Sequence, residues 1–147
     1  MTSRVFLFLQ GPHGPFYRRL AAKLRQTGAE VCRVGFNAGD AAFWWPQAGY
    51  IPFQGGLDAW PARLSEILRE RAVTDIVIYG DTRPVHAAAV KQAKAAGLRV
   101  HVFEEGYLRP YWVTYERGGS NGHSRLMDLT LPDMRATGTP EVPPPPA

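Results

Sequence analysis

Cysteine is almost absent from this chain, since Cys32 is the single one among 147 residues. No disulfide can therefore form within the chain, which favours a reducing compartment. A lone cysteine in an apolar stretch is typical of a small buried side chain rather than a nucleophile. Charge is modest as well, with 20% charged residues and a net charge of +4. That excess suits an anionic partner such as a nucleotide, an acidic sugar or a lipid headgroup, but without a basic run it does not support nucleic-acid binding.

Long hydrophobic runs are also missing. The apolar run at the N-terminus, Val5 to Leu9, is too short to span a bilayer. No small-residue cleavage site follows it, because Gln10-Gly11-Pro12 comes directly after. We therefore expect a cytoplasmic protein whose first apolar run is a core strand.

The motifs of several common chemistries do not occur. The sequence contains no P-loop, no G-x-S-x-G and no G-x-G-x-x-G. Its four histidines lack recognised ligand spacing, so no metal site is predicted. No acidic cluster follows the first strand, which disfavours a receiver-type regulator.

Strand and helix patterns alternate along the chain. Apolar runs predict strands over 5–9, 30–35, 75–79 and 98–103, with short extra strands over 50–53 and 112–116. Helices are predicted from Gly14-Pro15 to Gly28, from an N-cap at Asp58 to about Arg71, and from the 80–84 turn to Gly97. This order predicts an α/β fold, a Rossmann-like parallel sheet with helices on both faces. We expect one domain over residues 1–139 and a disordered, proline-rich tail over 140–147.

The acidic segment after the fourth strand is the strongest candidate site. In an open α/β sheet, ligands bind at the carboxyl ends of the strands, and Glu104-Glu105-Gly106 stands at such an end. A carboxylate there could act as a nucleophile or a general base, and a structural ion pair with Arg109 is the alternative. Adjacent residues of a strand point to opposite sides, so we expect only one of the two glutamates to face a shared substrate.

The loop after the first strand, residues 10–15, has two interpretations that the sequence leaves open. Gly11 and Gly14 let the backbone approach a ligand, and the helix that follows attracts anions at its N-terminus. His13 would then donate to a phosphate or carboxylate. A tight turn with a histidine that hydrogen-bonds only the loop fits the residues equally well.

Two further loops carry candidate residues. After the third strand, Asp81 or Thr82 is predicted to cap the next helix, which leaves Arg83 available for an anionic substrate. After the second strand, Trp44 and Trp45 could stack on a sugar, sit at a membrane interface or cover the core, and core cover is the commonest case.

Four separated segments carry a family resemblance: FLQGPHGPF at 8–16, VGFNAGD at 34–40, YGDTRPVH at 79–86 and EEGYLRP at 104–110. In this order they resemble the N-terminal half of the capsular polysaccharide Kdo-transferase family, whose members are often labelled capsule polysaccharide biosynthesis or export proteins. GSNGHSR at 119–125 looks like the family's next loop, with His123 where an aromatic residue is expected.

The resemblance implies one half of a GT-B-like enzyme with two Rossmann-type domains. Such enzymes transfer the acidic sugar Kdo from CMP-Kdo, with retention, to a lipid-linked acceptor at the cytoplasmic face of the inner membrane. CMP-Kdo is then the nucleotide-sugar donor, no cofactor is needed, and the CMP-binding half lies in a missing C-terminal domain. The protein would be peripheral to the inner-membrane surface, without a nucleic-acid partner.

The resemblance also implies roles for individual residues. Glu105 would be the nucleophile, with Glu104 as the second candidate. The implied substrate-binding residues are Gly11, His13, Gly14, Asp81, Arg83, Arg109 and Asn121. Arg83 and Arg109 would hold the Kdo carboxylate or a lipid phosphate. These roles require Gly11, Asp81 and Glu105 to meet along one rim, and a non-catalytic glycan- or nucleotide-binding module in capsule export is the alternative.

Overall fold

The computed structural model describes residues 3–107, 111–138 and 141. Its strands are β1 (Val5–Leu9), β2 (Glu30–Gly35), β3 (Tyr50–Pro52), β4 (Asp75–Tyr79), β5 (Arg99–Glu105) and β6 (Val113–Arg117). Its α-helices are α1 (Phe16–Gln26), α2 (Ala38–Ala42), α3 (Trp60–Glu70), α4 (Pro84–Ala95) and α5 (Leu131–Ala136). Two short 3-10 helices, Asn121–His123 and Arg125–Asp128, lie between β6 and α5.

The strands form a single sheet in the order β3-β2-β1-β4-β5-β6. All pairs are parallel except β5 with β6, which are antiparallel. The predicted α/β, Rossmann-like fold is confirmed, and so are the two short strands that the sequence suggested. A strand covered on both faces should be wholly apolar, and every residue of β1 is buried.

Each face of the sheet packs against helices. Leu7 and Leu9 of β1 lie in a core cluster with residues of α3 and α4, including Leu64 and Ala89. Phe6 and Phe8 lie in a second cluster on the other face, with Tyr17 and Ala21 of α1. The alternation of strand side chains therefore gives the sheet one core per face.

Two predicted helix caps are wrong. α3 begins at Trp60, with Ala59 rather than Asp58 at its N-cap, because the turn from Gly56 to Ala59 comes first and Trp60 is buried against the core. α4 begins at Pro84, with Arg83 in extended backbone at the N-cap and no side-chain cap, so neither Asp81 nor Thr82 caps it. Proline suits the first helical turn and keeps the preceding residue extended, which fixes this boundary.

The 36–56 segment is built around a short helix and a tryptophan pair. The Asn37 side chain accepts the backbone N–H of Asp40 and caps α2. The prediction of core cover holds for Trp44, which is buried and donates its indole N–H to the Ala48 carbonyl. It is wrong for Trp45, which is 68% exposed.

Among the described residues, no helix has both the length and the apolar composition needed to cross a lipid bilayer. The predicted disordered tail over 140–147 lies outside the described residues, apart from the exposed Glu141.

Candidate functional site

A cleft opens where the strand order of the sheet reverses. The chain runs from β1 to β2 on one side and returns to β4 on the other, so the loops that follow β1 and β4 diverge. Open α/β sheets bind ligands at this switch point. The cleft has a volume of about 370 Å³, and its walls come from the loops after β1, β2 and β4 and from the end of β5.

The loop after β1 forms one wall of the cleft, and Gly11 and His13 both line it. Gly11 has a φ of +148°, and a Cβ atom there would lie 2.6 Å from Cδ2 of Tyr17. The glycine is therefore required for packing on that ring, and its backbone still borders the cleft. Gly14 also has a positive φ, of +106°, but it is not among the lining residues.

Arg83 also lines the cleft and is held by a neutral partner. Its Nη1 donates to Oε1 of Gln10 at 2.9 Å, which joins the loop after β4 to the loop after β1. An amide oxygen carries no net charge, so this contact leaves the positive charge of the guanidinium uncancelled. Arginine in such a position suits recognition of a carboxylate or phosphate.

The two adjacent glutamates lie on opposite faces of β5, as the strand geometry predicts. Glu105 lines the cleft. The Glu104 carboxylate instead accepts hydrogen bonds from Ser120 Oγ at 2.9 Å and Asn121 Nδ2 at 2.6 Å on the other face. Glu105 is therefore the glutamate in position to reach a molecule in the cleft, and Glu104 is tied to the loop after β6.

An aromatic groove of about 600 Å³ adjoins the cleft. Phe16, Tyr111 and Trp112 contribute to its walls, and His13 and Glu105 line both cavities. Glu105 thus lies between a polar cleft and an apolar groove. Pockets of this kind, mostly apolar with a few convergent polar groups, are typical ligand sites.

Asp81 does not lie on the rim where we expected it. It is 5% exposed, and its Oδ2 accepts the Ser120 backbone N–H at 3.1 Å and faces Nδ1 of His123 at 3.2 Å. Gly80, with a φ of +72°, turns the chain there. The segment after β6 packs over the end of β4, so the buried carboxylate satisfies that N–H and anchors the loop instead of facing the cleft.

The residues that we predicted to meet along one rim therefore belong to two separate sites at one edge of the sheet. Gly11, His13, Arg83 and Glu105 meet at the cleft. Asp81 and Asn121 lie with Glu104 on the other face of β5, away from the cleft. Arg109 lies outside the described residues, so its predicted roles in anion binding and in an ion pair stay predictions.

A buried ion pair behind the cleft was missed by the sequence reasoning. Arg33 is 1% exposed, and its Nη2 donates to Oδ1 of Asp40 at 3.0 Å. The guanidinium also lies 5.7 Å from the ring centre of Tyr17 and 5.5 Å from that of Trp44. Burial lowers the pKa of Arg33, and Asp40 raises it in compensation. An arginine inside the apolar run VCRVG was the one signal of this pair.

Asp40 connects that pair to the cleft. Its second oxygen, Oδ2, accepts the Phe36 backbone N–H at 2.8 Å, and the residue lines the cleft wall. Arg33 compensates the charge of this carboxylate from behind, in the low-dielectric interior where the attraction is strongest. Asp40 therefore shapes the loop after β2 while adding little repulsion toward an anionic ligand.

His86 supports the turn that carries Arg83. It is fully buried, and its Nδ1 lies 2.7 Å from the Gly80 carbonyl oxygen. Burial lowers the pKa of His86 to about 4, so the ring is neutral at pH 7 and donates its Nδ1 proton to that carbonyl. The ring therefore packs inside the domain and does not line the cleft.

Within residues 3–107, 111–138 and 141, no group of three or more histidine, cysteine, aspartate or glutamate side chains could hold a metal ion.

The sequence is similar to proteins of capsule polysaccharide biosynthesis, export and modification. The sequence profile of the family described as "Capsule polysaccharide biosynthesis protein" matches residues 74–130. The chain is 37% identical over 139 residues to the Escherichia coli capsule polysaccharide export protein KpsS, covering 91% of this chain and 36% of KpsS. It is 42% identical over 121 residues to the capsule polysaccharide modification protein LipB of Neisseria meningitidis serogroups A and B, covering 82% of this chain and 29% of LipB.

The chain thus spans about a third of the length of these curated relatives. Among solved structures, the Methanococcus jannaschii fibrillarin pre-rRNA processing protein aligns with 70% of this chain and 46% of its own, at 14% identity and a TM-score of 0.48. That likeness is too weak to assign a fold or a function.

Proposed function

Because the chain belongs to the capsule polysaccharide biosynthesis protein family, we propose that it is the N-terminal domain of a retaining β-Kdo transferase with a GT-B-like architecture. The donor would be CMP-Kdo and the acceptor a lipid-linked molecule. A second Rossmann-type domain, beyond this chain, would hold the CMP moiety. The enzyme would work in the cytoplasm, peripheral to the inner membrane.

In this proposal, Glu105 attacks the anomeric carbon of Kdo. The bond from that carbon to the CMP phosphate breaks, CMP leaves, and a glycosyl ester forms on the carboxylate. A hydroxyl group of the acceptor then attacks the same carbon, loses its proton to solvent or a nearby base, and releases Glu105. Two displacements at one carbon retain its configuration.

The cleft residues have separate roles in binding. Arg83 would pair with the Kdo carboxylate, with Arg109 as a second arginine, and the Gly11 backbone and His13 would contact the sugar or a phosphate. Asp40 and Arg33 would hold the loop after β2 in place. The observation that carries the proposal is the position of Glu105, which lines both the cleft that contains Arg83 and the aromatic groove.

The test uses a chimera, in which this chain replaces the segment of KpsS that it matches. The chimera is incubated with CMP-Kdo and a lipid acceptor, and the product is identified by mass. Glu105→Gln should abolish transfer, because the amide is not a nucleophile, while leaving the fold intact. Glu104→Gln is the matched control, since it changes the same charge on the opposite face. Turnover that survives in Glu105→Gln and is lost in Glu104→Gln would reassign the nucleophile to Glu104.

The aromatic groove favours one alternative, a module that binds a glycan or nucleotide without bond chemistry. Aromatic walls can hold a sugar face by stacking whether or not a reaction follows. The same incubation separates the two functions. Saturable binding of CMP-Kdo or of a Kdo oligosaccharide with no transferred product, in a chimera whose unmodified parent KpsS is active, would favour the binding module.

A further inference from the structure

Helix α1 presents a face of one charge to the outside of the domain. Its exposed positions include Arg18, Arg19, Lys23 and Arg25, and the helix contains no aspartate or glutamate. Exposed basic residues are common on soluble proteins, so the charge alone says little. What makes this face unusual is the cavity beside it.

A cavity of about 320 Å³ lies between α1 and the tryptophan loop. Arg18, Arg19 and Arg25 line it together with the two tryptophans. Arg25 is held in place, since its Nη2 donates to the carbonyls of Val31 at 3.1 Å and Ala48 at 3.2 Å, and its guanidinium lies 5.5 Å from the ring centre of Trp44. Three arginines around one cavity, one of them fixed in advance, match a phosphate group.

Trp45 stands at the edge of the same cavity and is 68% exposed. Its neighbour Trp44 is buried in the core, so the loop is anchored and the exposed indole is held outward. Tryptophan is enriched where a membrane meets water, because its ring is apolar and its N–H is polar. A cationic cavity with an outward indole at its rim matches the interfacial layer of a phospholipid bilayer.

We propose that the α1 face, defined by Arg18, Arg19, Lys23, Arg25 and Trp45, docks on an anionic phospholipid bilayer. A lipid phosphate enters the cavity and the Trp45 ring inserts at the headgroup level. The inference rests on the proposed membrane association and identifies the surface responsible for it. Arg19 also lines the aromatic groove beside Glu105, so docking by this face brings the mouth of the groove to the lipid surface.

The test is binding of this chain to vesicles of phosphatidylcholine, with and without phosphatidylglycerol. The Arg18→Gln/Arg19→Gln/Lys23→Gln variant removes three positive charges from the α1 face. The matched control, Arg69→Gln/Lys91→Gln/Lys94→Gln, removes three positive charges from α3 and α4 on the other face of the sheet. All six side chains are exposed, and circular dichroism checks that each variant is folded.

We expect binding only to the vesicles that contain phosphatidylglycerol, and weaker binding as salt is raised. The α1 variant should lose on the order of a hundredfold in affinity, and the control much less, because the attraction falls off within a Debye length. Trp45→Phe should remove most of the blue shift in fluorescence on binding. Inorganic phosphate at a concentration matched to the lipid should not displace the chain, since the bilayer supplies many contacts at once.

Equal binding to both vesicle types, or equal losses in the two triple variants, would overturn the inference. Its failure is distinguishable from that of the proposed function. Vesicle binding that depends on the α1 face without any Kdo transfer in the chimera would reject the transferase only. Kdo transfer by a chimera whose vesicle binding does not depend on phosphatidylglycerol would reject the docking surface only.

Discussion

Substitution of Arg33 by methionine tests whether the buried ion pair holds the wall of the cleft. Arg33 and Asp40 are 1% and 5% exposed, so neither group can turn to water when the other is removed. In Arg33→Met the Asp40 carboxylate keeps the Phe36 N–H as a donor but loses its cation. Methionine is an unbranched apolar chain that can occupy much of the same space.

The expected cost is about 3–5 kcal/mol, the range found when one partner of a buried ion pair is removed. For a chain of this length, that corresponds to a drop in Tm of roughly 10–15 °C. Asp40→Asn should also be costly, because it leaves a buried guanidinium without a carboxylate. The Arg33→Met/Asp40→Asn double variant should lose less free energy of unfolding than the two single variants lose together, since the asparagine oxygen can still accept the Phe36 N–H.

Urea unfolding of the four proteins in this double-mutant cycle measures the free energies. The control is Arg63→Met, because Arg63 pairs with Glu66 on the exposed surface of α3, where a pair contributes about 0–1 kcal/mol. We expect a coupling energy of about 1–3 kcal/mol between Arg33 and Asp40. Additive effects, or a loss in Arg33→Met no larger than in Arg63→Met, would show that the buried ion pair does not stabilise the cleft wall.

Three further predictions follow from single residues. Burial lowers the pKa of His86 to about 4, so as the pH falls the unfolded chain takes up a proton on this residue before the folded chain does. The free energy of unfolding should therefore be about 3 kcal/mol lower at pH 4 than above pH 6.5. Urea unfolding measures this pH dependence, which should be weaker in His86→Gln. Gly11→Ala places a Cβ against Tyr17 at a positive φ and should cost about 1–3 kcal/mol, with weaker ligand binding in the cleft by calorimetry. Burial raises the pKa of Cys32 to about 11, so its thiol should resist a thiol reagent at pH 8 in the native state and react quickly in urea.

The sheet and its helices could be predicted because local patterns determine them. The apolar run of β1 and the alanine face of α4 identify a strand covered on both sides and a helix that packs closely. The same logic predicted that one of the two glutamates would face the site, since the period of a strand is two and the carboxyl edge is where loops converge. The choice of Glu105 over Glu104 came from the family resemblance.

The rest of the site depends on contacts distant along the chain. Asp81 lies at a strand-to-helix turn and has the residue type of a cap, but its partners are Ser120 and His123, about forty residues away. No local pattern indicates that the segment after β6 returns to cover it. Similarly, the sequence shows Arg33 only as a charged residue in an apolar strand. Its partner, Asp40, is brought beside it by α2 in the folded structure.

Detection of a covalent sugar on Glu105 tests the proposed double displacement most directly. The chimera with KpsS is mixed with CMP-Kdo without acceptor, quenched with acid, digested with protease and analysed by mass spectrometry. We expect a Kdo adduct on the peptide that contains Glu105, released when acceptor is added before the quench and absent in Glu105→Gln. A chimera that transfers Kdo while the adduct lies on another residue, or persists in Glu105→Gln, would contradict the role of Glu105 as the nucleophile.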